Sequence, residues 1–271
     1  MRQWNWKIGF ASLTVLGLVF LSAQRVGAAE STEPVPQDWS FDGPFGKFDR
    51  AALQRGYQVY KEVCSACHSM NLLSFRNLGG GAGFAAGDEE SSGPGFSAEQ
   101  IKALAASFTV KDGPNDQGEF FDRPGRASDR FVAPFANEQA ARSANNGALP
   151  PDLSVIVKAR EGGADYIYGL LTGYKTPPAD VILGAGMNYN IAFAGQQIAM
   201  AQPLNDNGVT FADGTKASVE QQAHDVVQFL TWAAEPNLET RHRMGISVLI
   251  YLAVFTGLLY ALKRRIWKRV R

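Results

Sequence analysis

The sequence predicts a mainly helical exported domain with inserted loops, followed by one C-terminal transmembrane helix. Three observations carry this prediction. Amphipathic helical patterns stand near both ends of the central region, the stretches between them lack apolar periodicity, and residues 244–262 carry no charge. The chain has 271 residues, enough for one well-buried domain with an insertion beside its end segments.

Met1 to Ala29 reads as an export signal. Arg2 and Lys7 make a basic start, Ile8 to Ala23 is an uncharged apolar run, and Val26-Gly27-Ala28-Ala29 supplies small residues for cleavage before Ala29 or Glu30. An uncleaved anchor is the rival reading, but the run falls short of the roughly 20 residues a span needs. Residues 30–236 then form the exported body.

The body opens with a helix capped by Asp49, in which Leu53, Tyr57, Tyr60, Val63 and Cys64 recur at spacings of three and four. At its end stands Cys64-Ser65-Ala66-Cys67-His68, a C-x-x-C-H run holding both cysteines of the chain. Two thiols three residues apart can each add to a haem vinyl group while the adjacent imidazole reaches the iron. The motif therefore predicts one covalent haem c and one-electron transfer. A redox dithiol is disfavoured because such pairs open a helix, where the dipole stabilises a thiolate, whereas this pair closes one. Zinc would need four ligands, and only two cysteines and three histidines are present.

Beyond the motif, Gly79 to Gly95 is rich in Gly, Ala and Ser, and Lys111 to Arg130 in Gly, Pro and Asp. Both read as loops or an inserted segment. The glycine-rich stretch has no strand or Lys-Ser/Thr context for phosphate, and no nucleic-acid partner is expected. Ser218 and Gln221 form a capping box for a second long helix, with Ala223, Val226, Val227 and Leu230 on one face and Pro236 as its stop. Gly56 on the first helix allows this partner to approach closely.

Met244 to Leu262 is long enough, at about 1.5 Å per residue, to cross the roughly 30 Å hydrocarbon core. Lys263, Arg264, Arg265, Lys268, Arg269 and Arg271 outweigh the upstream Arg241 and Arg243, so residues 263–271 are expected to form a cytoplasmic tail. The overall charge is zero, yet residues 30–236 alone carry fifteen cationic against twenty-five anionic side chains. A net charge of −10 serves solubility or steers a basic partner.

His68 is the proximal ligand by adjacency. For the sixth position, Met200 in Ile198-Ala199-Met200-Ala201-Gln202-Pro203 is favoured by its rigid setting, with Met187, His224 and an open site as alternatives.

The runs Val59 to Met70, Asn145 to Ser154, Asp165 to Tyr174 and Ile198-Ala199-Met200, in that order, resemble the cytochrome c1 family, and the C-terminal anchor matches as well. The resemblance implies a class I cytochrome c-like domain with inserted loops, tethered to the bacterial inner membrane with its haem domain on the periplasmic side. It implies Met200 as the sixth ligand, Arg160 paired with a haem propionate, Tyr60 and Tyr166 near the haem edge, and Pro151 among the haem-binding residues. By themselves, Arg160 reads as a surface arginine, the tyrosines as core aromatics and Pro151 as a turn residue. The family partners implied are cytochrome b, the Rieske iron-sulfur protein and a c-type cytochrome acceptor. A stand-alone membrane-anchored electron shuttle and a haem peroxidase are the competing functions. Some bacterial relatives carry an extra disulfide that this chain, with two cysteines, cannot form.

Overall fold

A computed structural model describes residues 34–79 and 93–270. The export signal expected over Met1–Ala29 and most of the Gly79–Gly95 loop lie outside these residues.

Helix α1 (Arg50–Glu62) starts where expected, because the Asp49 carboxylate accepts from the amides of Ala51 and Ala52. It buries Leu53, Gly56, Tyr57 and Tyr60 against α5 (Val219–Ala234), the other long helix of the body. The two cross at Gly56, where a Cβ would stand 2.1 Å from the carbonyl oxygen of Asp225. Only glycine permits that approach. Arg55 then reaches across the crossing, donating to the buried Asp225 at 2.7 and 3.0 Å and to Asp213 at 2.8 Å. Phe229 fills the contact, with the rings of Tyr57, Tyr60 and Trp232 between 5.6 and 5.9 Å away. Complete burial of Phe229 and Leu53 contributes about 2–3 kcal/mol each.

The cap of α5 differs in one respect from the sequence expectation. Ser218 accepts from the Gln221 amide, but the Gln221 side chain turns to Asp225 at 3.0 Å. Asp225 is fully buried and its carboxylate oxygens need donors, so the glutamine amide is drawn there rather than back to the cap.

Between these helices lie α2 (Ala98–Ala106), closed by a reciprocal Ser97–Gln100 capping box, and two antiparallel strands, β1 (Thr109–Asp112) and β2 (Phe121–Pro124). The Lys111–Arg130 stretch, expected as loops or an inserted segment, thus carries part of a hairpin. Charge rather than an apolar face holds it, since the Arg123 guanidinium is clamped between Asp112 and Asp129. Helix α3 (Glu138–Ala144), helix α4 (Gly163–Thr172) and a two-residue pair, β3 (Asn188–Tyr189) with β4 (Gln197–Ile198), follow.

Helix α6 (Leu238–Trp267) is 30 residues long, roughly 45 Å, and buries only Leu238. A core helix would be covered; this one exposes Leu249, Phe255, Leu258 and Leu259 along its length and fits a single membrane anchor. Its first turn begins before the uncharged run and is keyed into the body. Glu239 accepts from the Phe48 amide at 2.8 Å and from both Arg50 terminal nitrogens at 2.9 and 2.8 Å, and Glu235 pairs with Lys158 and Arg241. Only Glu235, Pro236 and Asn237 separate α5 from α6.

Candidate functional site

The end of α1 sets the site. Val63 closes the helix and a single 3-10 turn, Cys64–Ala66, carries the chain into Cys67 and His68, whose amides both point back to the Cys64 carbonyl at 3.1 and 2.9 Å. Cys64 packs partly against the core and Cys67 is exposed. Burial pushes the Cys64 thiol up to about 12, with Cys67 adding to the rise.

His68 Nδ1 lies 2.8 Å from the carbonyl oxygen of Pro151. A carbonyl can only accept, so Nδ1 carries the proton and Nε2 keeps its lone pair for a metal. Burial lowers the pKa of the ring, against the opposing influence of Pro151 and Asp152, which keeps the imidazole neutral and able to ligate.

Tyr60 supplies a second fit. It is buried, its ring stacks at 5.8 Å on Phe131, and its hydroxyl has no hydrogen-bond partner among the described residues. Burial raises its pKa, and Cys64 and Asp152 add to the rise, which places the hydroxyl within electrostatic reach of the motif. A buried donor so placed suits a bound group that brings an acceptor. Beside Cys67 opens a cavity of about 430 Å³, lined among others by Phe135, Leu149, Pro150 and Asp152. The tautomer of His68, the unmet Tyr60 hydroxyl and the cavity fit a covalent haem held by Cys64, Cys67 and His68.

The other expected residues are positioned by separate elements. Arg160 is exposed, donates to the Ala159 carbonyl at 2.9 Å, and lies near Tyr166 on the first turn of α4, where its charge offsets part of the burial-driven rise in the tyrosine pKa. Met200 follows β4, half-buried, with its main-chain oxygen accepting from the Tyr174 hydroxyl at 3.0 Å. Met187 sits in a turn closed by its amide on Gly184. His224 stacks on Trp39 at 4.9 Å and lies 3.5 Å from the Gln228 amide nitrogen, which makes it a helix-packing histidine.

Sequence reasoning assigned no role to Asp152, whose carboxylate gathers three groups. Oδ2 accepts from the Ser69 hydroxyl and the Asn71 amide, each at 2.8 Å, and Oδ1 from the Ser154 amide at 2.9 Å; the Ser154 hydroxyl accepts in turn from the Leu72 amide at 3.0 Å. Burial would raise the Asp152 pKa, but the bonds from Ser154, Asn71 and Ser69 outweigh it and hold the carboxyl below its ordinary value. The available signal was an aspartate two residues before a serine after a proline pair, the pattern of a side-chain-closed turn.

Comparison with known proteins follows the same lines. The sequence model of the Cytochrome C1 family matches residues 39–270. The "Cytochrome b/c1" of Bradyrhizobium diazoefficiens is 45% identical over 94% of this chain, which spans 39% of that longer protein. The "Cytochrome c1, heme protein, mitochondrial" of Schizosaccharomyces pombe is 47% identical over 88% of this chain and 73% of its own length. The "Cytochrome c1" of Rhodospirillum rubrum is 43% identical over 90% of this chain and 93% of its own length.

Proposed function

Because the chain belongs to the cytochrome c1 family, the haem subunit of the cytochrome bc1 complex, we propose that it accepts electrons singly from the Rieske iron-sulfur protein and passes them to a soluble or membrane-bound c-type cytochrome. The contact between His68 Nδ1 and the Pro151 carbonyl carries this reading, since it prepares Nε2 as an axial ligand at the end of a C-x-x-C-H run. Covalent haem c supplies the one-electron chemistry when bound.

The residues of the chain hold and tune that group. Cys64 and Cys67 would form its thioether links, His68 and Met200 would ligate its iron, and Tyr174 fixes the segment that carries Met200. A thioether there raises the potential, which suits a late step of the chain of carriers. Arg160 would pair with a propionate through its fork of donors, and Tyr60 and Tyr166 would lie near the haem edge. Residues 30–236 face the periplasm of a bacterial inner membrane, α6 crosses it at residues 244–262, and the basic residues 263–271 stay in the cytoplasm after removal of residues 1–29. A relative that joins b and c1 in one name supports cytochrome b as the membrane partner. The keyed first turn of α6 holds the haem domain at the membrane surface, within reach of both exchange partners.

Reduced-minus-oxidised spectra of detergent-purified membranes, with subunits identified, test this reading. A c-type band assigned to this chain, co-purifying with cytochrome b and a Rieske protein and inert to carbon monoxide, is expected. Met200→Leu, which offers no donor atom, opens the iron to carbon monoxide and lowers the potential while leaving the haem covalent. Purification without cytochrome b would favour the stand-alone shuttle, and carbon monoxide binding by the parent would remove the six-coordinate site.

A further inference from the structure

We propose that Asp152 is a positioning residue for the proximal ligand, setting the strength of the hydrogen bond from His68 Nδ1 to the Pro151 carbonyl. The proposal rests on His68 being an axial ligand, as argued above.

Pro151 and His68 are 83 residues apart in sequence, and the segment that carries Pro151 runs between α3 and α4 without helix or strand. Pro150 and Pro151 have no N–H, so neither can donate to the segment they face. One main-chain bond joins the two segments directly, from the Leu153 amide to the Ser69 carbonyl at 2.9 Å. The Asp152 side chain adds acceptors that hold the rest of the contact. It lies one residue after the accepting carbonyl, and it takes hydrogen bonds from the hydroxyl of Ser69, one residue after the ligand, and from the amide of Asn71. Its second oxygen closes back on the Ser154 amide, and the Ser154 hydroxyl extends the contact to Leu72. Carboxylate and hydroxyl thus zip residues 69–72 to residues 152–154 immediately beside the His68–Pro151 bond.

Two physical consequences have the same sign. A fixed, short bond at Nδ1 makes Nε2 a stronger electron donor, and a carboxylate near the ring favours the more positive, oxidised iron. Both lower the reduction potential. Asp152→Asn keeps the shape, removes the charge and turns one acceptor into a donor facing N–H or O–H groups. Asp152→Ala removes the zipper.

The test is a redox titration of the full chain in its membrane complex, with covalent haem quantified on a denaturing gel. Asp152→Ala should shift the reduced-to-oxidised equilibrium by about tenfold toward reduced, equivalent to about 59 mV for one electron, with Asp152→Asn between it and the parent. Amide exchange at Asn71, Leu72 and Ser154 should quicken in parallel. Asp49→Ala, which strips two amide bonds from the start of α1, is the control for simple destabilisation and should leave the potential in place. If Asp152→Ala yields no haem protein, Ser69→Ala, which removes one donor to the carboxylate, should show a smaller shift of the same sign. A ratio within twofold of the parent in every haem-loaded variant, or a shift matched by Asp49→Ala, overturns the proposal. Loss of the underlying reading looks different: His68→Ala would then leave the haem six-coordinate and its spectrum unchanged.

Discussion

The half of the body built by α1 and α5 and the half built by residues 145–204 are ordered by different means. In the helix pair, main-chain groups satisfy one another within each helix, and the fit between helices comes from volume: Gly56 against the Asp225 carbonyl, and Phe229 among three other aromatic rings. In the loop half, polar side chains do the work of a ladder. Asn190, fully buried, donates to the Leu170 carbonyl at 2.8 Å and accepts from the Ala192 amide at 3.0 Å; Gln197 accepts from the Gly184 amide at 2.9 Å; Tyr174 holds the Met200 carbonyl. A buried main-chain group must find a partner, and where no helix or sheet provides one a side chain must. The helix half is therefore sensitive to size and the loop half to polarity.

The largest expected effect comes from Gly56→Ala. The added methyl would stand 2.1 Å from a carbonyl oxygen of the neighbouring helix, and backbone on both sides must separate to admit it. We expect a loss above about 3 kcal/mol, at or beyond the upper end for overpacking, read as a lowered Tm and little haem-loaded protein in the membrane. Normal accumulation and Tm would mean that the crossing is looser than the structure has it.

The loop half is broken by the converse change. Asn190→Leu conserves volume roughly but strands the Leu170 carbonyl and the Ala192 amide in a buried site. A loss of about 2 kcal/mol is expected in chemical denaturation, of the size of an unmet buried polar group. A near-neutral result would show that this half, too, is held by packing.

The same contrast explains what could be read in advance. Helix α1 was legible because Asp49 and the spacing of Leu53, Tyr57 and Tyr60 are local, and α6 because a membrane span needs only length and apolarity. Helix α4 gave no start signal, since its first neighbour is Gly162 in the left-handed region with no side-chain cap. The β1–β2 hairpin has no alternating apolar face, so the Arg123 clamp that holds it is invisible until residues 112, 123 and 129 are brought together. In the site, the cysteines and His68 announced themselves as a motif. Pro151 entered only through the family resemblance, and the Asp152 turn pattern did not say what it faces, because a hydrogen-bond acceptor 83 residues distant leaves no mark of its partner. Glu239, to which the sequence assigns no role, forms a joint with Arg50 that only the folded chain brings together.

Asp213 is the place where the helix half borrows the device of the loop half, and it gives the smallest expected effect. Its carboxylate accepts from the Thr215 amide at 2.9 Å and from Arg55 at 2.8 Å, and these bonds, the amide first, bring its pKa down to about 2. A depressed folded-state pKa means that the contribution is fully present above the ordinary value near 3.9 and is lost as the pH falls toward and through about 2. Because the group is largely exposed, salt screens the share due to Arg55 but leaves the local bond to Thr215. Carboxyl carbon NMR of the detergent-solubilised protein should therefore show Asp213 titrating near 2, with the Thr215 amide shift following it. Arg55→Gln should move the midpoint upward only part of the way, since the amide bond survives the substitution. A midpoint at the ordinary carboxylate value would mean that the 213–215 turn is not closed by its side chain, and that the helix half rests on packing and the Arg55–Asp225 pair alone.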